Sequence, residues 1–173
     1  MASGPLQLGV ADLRRAPGTH RSIHLELIIG DLGRDRIGNA DVELPVAEPL
    51  TAELALDSSP GHLDVTGTLL TTWSGHCRRC LDVVAGTLEV DVDERFAVRP
   101  ELHSDHDAFP IIDDHIDLAP MMIESLLVSL PLLPLCRPDC PGPDPDAHPI
   151  TVAAEVEPTT DPRWAALDEL RAD

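Results

Sequence analysis

The stretch that decides the fold runs from residue 63 to residue 96 and reads LDVTGTLLTTWSGHCRRCLDVVAGTLEVDVDERF. Apolar residues alternate with polar ones before the cysteines, and alternate again after them, where Leu88, Val90 and Val92 are separated by acidic residues. A period of two is typical of a β-strand that buries one face. The two runs therefore predict antiparallel neighbours joined by a turn at Cys77-Arg78-Arg79-Cys80.

Weaker versions of the same pattern extend toward the N-terminus. The alternating apolar residues there are Ile23, Leu25 and Leu27, followed beyond the stretch 30–39 by Val42 and Leu44. A third run, 50–56, fits either a strand or a helical turn, and we favour a strand. These runs predict that the domain is built mainly from β-strands.

Two helices are also predicted. Asp117 is a good N-cap, Pro120 is tolerated in a first helical turn, and Pro131 ends the run, which predicts a core helix near 117–130 packed on the sheet. A second helix is predicted near 161–171. It begins with Asp161 and Pro162, and its apolar residues recur at three-residue spacing as Trp164, Leu167 and Leu170.

The predicted fold class is α+β, with a mainly antiparallel β-sheet or a partly open barrel. Residues 1–20 mix Gly, Pro and polar groups without an apolar period, so we expect a mobile N-terminal arm. A single β-rich domain with the cysteine pairs should span 21–140, a Pro/Asp-rich linker 141–160 and the last helix 161–173. Within the domain, 99–117 reads as an exposed acidic loop, with Ile111 and Ile112 against the core.

The charge balance restricts the partners. The 173 residues include 12 basic residues, all Arg, against 31 acidic ones, for a net charge of −19, and only four aromatic residues. Proteins that grip nucleic acid non-specifically use clustered Lys and Arg and stacking aromatics. The composition therefore argues against DNA and anionic lipid as partners and favours basic ones.

The location of the protein follows from two further observations. The first twenty residues contain no basic stretch followed by an apolar run, so we expect no secretory signal and a cytoplasmic protein. Residues 118–136 are the stretch that most resembles a membrane span, but they contain Glu124 and three prolines. We therefore expect no membrane partner.

The four cysteines form two close pairs, Cys77 with Cys80 and Cys136 with Cys140. Two such pairs from separate loops suit a tetrahedral zinc site with four sulfur ligands. Redox or regulatory thiols and inert free thiols are the alternatives, although a redox Cys-x-x-Cys is expected at a strand-to-helix turn. We expect a structural Zn²⁺ knob whose loss would loosen or unfold the domain.

The arginines beside the cysteines and the histidines and aspartates of the acidic loop each allow more than one role. Three arginines adjoin the cysteines, and they could offset the charge of four thiolates, bind a partner, or simply lie in solvent; they are Arg78, Arg79 and Arg137. His76 is a minor alternative ligand. A run of hard-metal ligands could hold two divalent ions for phosphodiester cleavage, but we favour a solvated acidic loop. It comprises His103, Asp105, His106, Asp107, Asp113, Asp114, His115 and Asp117.

Taken in order, several motifs resemble the bacterial YceD family. They are Cys77-Arg78-Arg79-Cys80-Leu81, Asp93-Glu94-Arg95-Phe96, Leu130-Pro131-Leu132-Leu133-Pro134-Leu135-Cys136 and Asp161-Pro162-Arg163-Trp164-Ala165-Ala166-Leu167. The resemblance covers residues from about 23 to 171. After Cys140 the chain lacks the further Gly and Cys residues of many members, which excludes a more elaborate metal knob.

The resemblance implies a non-enzymatic factor that supports accumulation of large-subunit ribosomal RNA, and genes of this family often lie beside that of a small ribosomal protein. Together with the acidic charge, it favours a ribosome assembly factor that acts through a basic ribosomal protein or the precursor large subunit, with the acidic loop as contact surface. A zinc-knob protein that touches ribosomal RNA through its arginines is the second hypothesis. A metal-dependent ribonuclease is the third.

Overall fold

The hairpin predicted around the first cysteine pair is the centre of the fold. In the computed structural model, which describes residues 6–98 and 108–147, β6 spans His62–His76 and β7 spans Val83–Ala97. The two strands pair antiparallel along their whole length, from His62 opposite Ala97 to His76 opposite Val83. The predicted antiparallel neighbours around the cysteine turn are confirmed.

Shorter strands extend the hairpin into a seven-stranded, open sheet. One edge of β6 pairs first with β5 (Pro49–Ser59) and then with β4 (Val42–Leu44), and β2 (His20–Ile28) lies outside β5. The short strand β3 (Ile37–Gly38) pairs with β4. All pairs are antiparallel except β7 with β8 (Phe109–Pro110), so the predicted α+β class with a mainly antiparallel sheet is confirmed.

One face of this sheet forms the core. Every second residue of β5 is buried, and Leu56 lies beside Val65 of β6 in the same buried row. Burial of a Leu or Val side chain contributes roughly 1.5–3 kcal/mol relative to exposure, so this face dominates the stability of the domain. The run 50–56, which fitted two periods in the sequence, is a strand because its alternate residues meet this core.

Helix α2 (Leu118–Ser129) covers the buried face of the sheet. The Asp117 carboxylate accepts a hydrogen bond from the Ala119 N–H at 3.0 Å, as expected for an N-cap. Met121, Met122 and Leu126 are fully buried. The predicted core helix is confirmed, and it ends at Ser129, two residues before Pro131, whose ring prevents a further turn.

The prediction of a mobile arm over 1–20 is wrong for the residues that the structure describes. Strand β1 (Gln7–Gly9) is followed by helix α1 (Ala11–Arg15), and Val10 and Leu13 are buried in the core. Ser58 Oγ donates a hydrogen bond to the Leu13 carbonyl at 2.7 Å. The segment shows no apolar period because it buries single, widely spaced apolar side chains and no regular row of them. Residues 1–5 lie outside the described chain.

The exposed loop predicted over 99–117 also needs correction. Residues 99–107 lie outside the described chain, but β8 is followed by β9 (His115–Asp117), which pairs with β1. Ile111 is buried as predicted, whereas Ile112 is 63% exposed. Pairing with the N-terminal strand, which the sequence did not predict, orders this part of the chain.

The remaining predictions concern the C-terminal part. Of the predicted linker 141–160, residues 141–147 are described and contain no strand or helix. The rest of the linker and the predicted helix 161–171 lie outside the described residues. Neither helix in the described chain is long and apolar enough to span a bilayer.

Candidate metal centre

The four cysteine sulfurs meet at the tip of the β6–β7 hairpin. All four Sγ atoms lie within 4.8 Å of one another, with Cys77 and Cys140 3.8 Å apart and Cys80 and Cys136 3.7 Å apart. A regular tetrahedron with Zn–S distances of about 2.3 Å has edges of about 3.8 Å. The structure thus brings together all four predicted ligands in an arrangement that could hold a metal ion.

The first pair sits on a tight turn that closes the hairpin. The Cys77 N–H donates to the Asp82 carbonyl and the Leu81 N–H to the Cys77 carbonyl, both at 2.9 Å. Leu81 has a φ of 65°, a left-handed conformation that lets the chain turn back into β7. The turn points both sulfurs inward, and the Arg79 N–H approaches Cys77 Sγ at 3.5 Å.

The second pair follows α2 on an irregular, proline-rich segment that lies against the first turn. The Pro134 carbonyl accepts a hydrogen bond from the Arg78 N–H at 2.9 Å. The Cys140 N–H donates to the Arg137 carbonyl at 3.1 Å and closes the second loop. Cys140 and Cys77 are buried, whereas Cys136 is exposed, so the centre lies at the surface with one side open.

Arg79 joins the two loops. Its Nη1 donates to the Pro138 carbonyl at 3.2 Å and to the Cys140 carbonyl at 2.9 Å. A guanidinium held by neutral carbonyls keeps its positive charge, which lies close to the four sulfurs. These contacts give Arg79 a role that the sequence did not predict, which is to orient the second loop.

The turn between β3 and β4 braces the centre from one side. Asn39 Nδ2 donates to the Pro131 carbonyl at 3.2 Å, and the Asp41 carboxylate pairs with Arg78. The Asp41 carbonyl also accepts the His76 N–H at 3.2 Å. These contacts were not predicted, because nothing in the sequence around 39–41 indicates more than a turn.

The sulfurs differ in acidity because their surroundings differ. Backbone hydrogen bonds from Cys80 and Cys136 outweigh burial and lower the pKa of Cys77 to about 6. A backbone hydrogen bond from Asp82 favours the Cys80 thiolate, but burial and the Cys77 and Cys140 side chains outweigh it and raise the pKa of Cys80 to about 12. The Cys140 side chain is the main cause that raises the pKa of Cys136.

At neutral pH these pKa shifts favour a thiolate at Cys77, while Cys80 and Cys136 stay protonated until a cation binds. A dication favours the thiolate form of each sulfur that it binds, so metal binding releases protons. All four cysteines are free thiols in the structure. Four soft sulfur ligands in a tetrahedron are the donor set that zinc prefers in structural sites.

The other candidate residues do not join this centre. His76 is exposed, and Arg137 pairs with Asp139 at 3.5 Å on the surface. In the acidic run, Asp114 pairs with Arg14 and Asp117 caps α2, while His103, Asp105, His106 and Asp107 lie outside the described residues. Within the described chain, the cysteines are the one cluster of three or more metal-ligating side chains.

Comparison with known families identifies the chain. A family model described as "Large ribosomal RNA subunit accumulation protein YceD" matches residues 65–171, from near the start of β6 onward. The chain belongs to the YceD family. The resemblance seen in the sequence motifs is thereby confirmed, and membership links this YceD protein to the accumulation of large-subunit ribosomal RNA.

Mycobacterial proteins are similar to this YceD protein over almost its whole length. An uncharacterized protein of Mycobacterium tuberculosis and one of Mycobacterium bovis are each 31% identical to it, over 97% of the chain and 82% of the relative. An uncharacterized protein of Mycobacterium leprae is 29% identical, over 97% of the chain and 78% of the relative. No solved structure matches significantly.

Proposed function

We propose that this YceD protein is a non-enzymatic assembly factor of the large ribosomal subunit, and that it binds a basic ribosomal protein, free or on the precursor particle. The observation that carries the proposal is the charge of the sheet surface opposite the core. We call this surface, formed by outward-facing residues of β2, β5, β6 and β7, the outer sheet face. It lies wholly within the described residues, whereas residues 99–107 of the acidic loop first considered do not.

The outer sheet face is strongly acidic. Register places its residues in rows across four strands, such as His24, Glu53, Thr68 and Asp91. Its acidic members are Glu26, Glu53, Asp57, Asp64, Glu89, Asp91 and Asp93. One arginine, Arg95, lies among them and is hydrogen-bonded to Asp64 at 2.9 Å. Such a surface attracts Lys/Arg-rich proteins and repels phosphate backbones.

The arrangement of the arginines favours a protein partner over RNA. Arg78 pairs with Asp41, and Arg137 with Asp139. Nearer the N-terminus, Arg14, Arg21 and Arg36 pair with Asp114, Asp12 and Glu43. Since a partnered arginine has less charge available for phosphate, direct contact with ribosomal RNA through the metal knob remains the second hypothesis.

We further propose that the cysteines hold a structural Zn²⁺ and that the protein acts in the cytoplasm, where reducing conditions keep the thiols free. The sulfur spacing and the absence of other donors within the described cluster support this role. A ribonuclease, the third hypothesis, gains no support from Asp114 and Asp117, because both carboxylates have structural partners.

Charge reversal tests the partner hypothesis. A Glu53→Lys, Asp91→Lys, Asp93→Lys triple variant should lose ribosomal proteins and precursor particles that co-purify with the wild-type protein at moderate salt. The control reverses three exposed carboxylates elsewhere, Asp35, Asp139 and Asp146, and should retain them. If both triple variants behave alike, the outer sheet face is not the contact surface.

The RNA hypothesis predicts the opposite pattern. Replacing Arg78 and Arg137 by Ala should then abolish particle association, while the outer-face triple variant should retain it. Metal analysis tests the zinc assignment independently, with one zinc per chain expected and none after Cys77→Ser with Cys140→Ser. Protein purified without chelators that contains no zinc would contradict the assignment.

A further inference from the structure

Helix α2 is apolar on two faces, and the described chain covers only one of them. Its buried face packs on the sheet through residues such as Met122 and Leu126. On the opposite side, Ile123 is half-buried, Leu127 is 40% exposed and Val128 is 81% exposed. A helix that is apolar all round is normally buried all round. The second face of α2 therefore lacks a covering element among the described residues.

The uncovered face borders a groove. An open cavity of about 580 Å³ lies between α2 and the short 3-10 turn Ile29–Leu32, with Ala119, Pro120, Ile123, Leu127 and Leu32 among its apolar lining. Arg34 and Glu124 stand at its sides. Asp117 also lines it, so the groove offers an apolar floor with two carboxylates and one guanidinium at its edges, which suits an amphipathic peptide segment.

We infer that residues 161–171 of the same chain occupy this groove as an amphipathic helix. The sequence of this segment places Trp164, Leu167 and Leu170 on one side and charged residues on the other. An isolated segment of this length gains little from helix propensity and requires an apolar surface to fold against. The groove on α2 supplies that surface, and the inference does not depend on the proposed ribosomal role.

Chain length permits this docking. The 13 residues from 148 to 160 connect Ala147 to the segment and can span up to about 45 Å. Helix α2, with 12 residues, is only about 18 Å long. Its last residue, Ser129, is seven residues before Cys136, whose loop begins the path to Ala147. The connection can therefore span more than twice the length of the helix along which the groove runs.

Two other observations favour this occupant. The YceD family match runs from 65 to 171, so it includes both α2 and the segment and ends where the segment ends. A lipid surface is disfavoured because the chain carries a net charge of −19, and Glu124 lies beside the groove. A second copy of the chain is the remaining competitor, and the experiment separates it.

Tryptophan fluorescence of the full chain tests the inference. The protein has two tryptophans, and Trp73→Phe makes Trp164 the single reporter. We expect blue-shifted emission from Trp164 and acrylamide quenching several-fold weaker than in urea. Leu127→Asp and, separately, Val128→Asp in this background should shift the emission to the red and restore quenching to the unfolded level.

A matched control and dilution make the result decisive. Val83→Asp changes an equally apolar residue, 74% exposed, outside the groove and should leave Trp164 protected. The inference is overturned if Trp164 is quenched equally in native protein and in urea, or if neither α2 variant exposes it. Protection that disappears on dilution would assign the groove to a second copy of the chain.

Discussion

At the scale of single residues, Arg79 is the side chain that couples the two halves of the metal centre. Because its guanidinium donates to two carbonyls of the second loop, Arg79→Ala removes charge-assisted hydrogen bonds that no neighbour replaces. We expect a loss of about 1–2 kcal/mol in the free energy of unfolding, measured by urea titration of the zinc-loaded protein.

Arg78→Ala is the matched control for this variant. Arg78 is 48% exposed and pairs with Asp41 at the surface, so its removal should cost about 0–1 kcal/mol. Equal losses for the two variants would show that Arg79 contributes only as a surface charge and does not orient the second loop.

The Asp82 carboxylate, unlike the Arg79 guanidinium, disfavours the thiolate form of the cysteine beside it. Its Oδ2 lies 3.3 Å from Cys80 Sγ, so it repels a thiolate there. Asp82→Asn removes that negative charge while the backbone carbonyl still accepts the Cys77 N–H. We expect zinc affinity to rise about tenfold, in line with about 1–2 kcal/mol for one partly screened charge at this distance.

Competition with a chelating dye measures the change. Asp139→Asn, at a carboxylate that is 87% exposed, should alter the affinity much less. An unchanged or lower affinity for Asp82→Asn would indicate that the carboxylate instead positions Cys80 for the metal.

At the scale of elements, the close approach of β5 and β6 depends on Gly67. Its φ is +146°, and a Cβ at this position would lie 2.0 Å from the Glu53 carbonyl oxygen. Gly67→Ala must therefore separate the two strands at the middle of the sheet. We expect a loss of about 3 kcal/mol or more in thermal or urea unfolding.

Gly9→Ala is the control, because a Cβ there meets its nearest neighbour at 3.8 Å, an ordinary contact distance. It should change stability by less than about 1 kcal/mol. Similar losses for both glycines would mean that β5 and β6 can accommodate a side chain between them.

Long elements could be predicted from the sequence, whereas the shortest strands and the N-terminal segment could not. Alternation predicted the long strands, and the N-cap at Asp117 predicted α2, because these signals are local and repeated. Strands β3 and β8 contain two residues each, too few for any period to show. The N-terminal segment buries single residues such as Val10. Their burial depends on the pairing of this segment with β9, which is distant in sequence.

In the candidate metal centre, too, local sequence signals were predictable and contacts between distant residues were not. Cysteine spacing predicted all four candidate ligands, since each pair is local in sequence. Asn39 and Pro131, which brace the centre, are 92 positions apart and meet only because the sheet brings β3 beside the end of α2. A contact of this kind carries no local signal, so it could not be predicted from a single sequence.

At the scale of the whole molecule, the apolar core is built separately from the candidate metal centre. The core cluster includes residues from β4, β5, β6, β7 and α2 but none of the cysteines. Zinc-finger peptides unfold without metal because they have no such core. We therefore expect a strong chelator to lower the melting temperature while far-UV circular dichroism retains the sheet signal at 25 °C.

Hydrogen exchange locates the effect. Chelation should expose backbone amides near 77–82 and 136–140 and leave β5 and the centre of β6 protected. Complete unfolding by the chelator would contradict the independence of the core. An unchanged melting temperature would contradict a stabilising metal.

The joining of the hairpin tip to the segment after α2 has a mechanical consequence. Cys77 and Cys140, the outermost ligands, are 63 positions apart, and the chain between them includes β7, β9 and α2. With a metal bound, a pulling force on the two ends of the chain passes through sulfur–metal bonds, and the enclosed residues are not stretched. Single-molecule pulling should show a hidden length on the order of 200 Å that appears only after chelation.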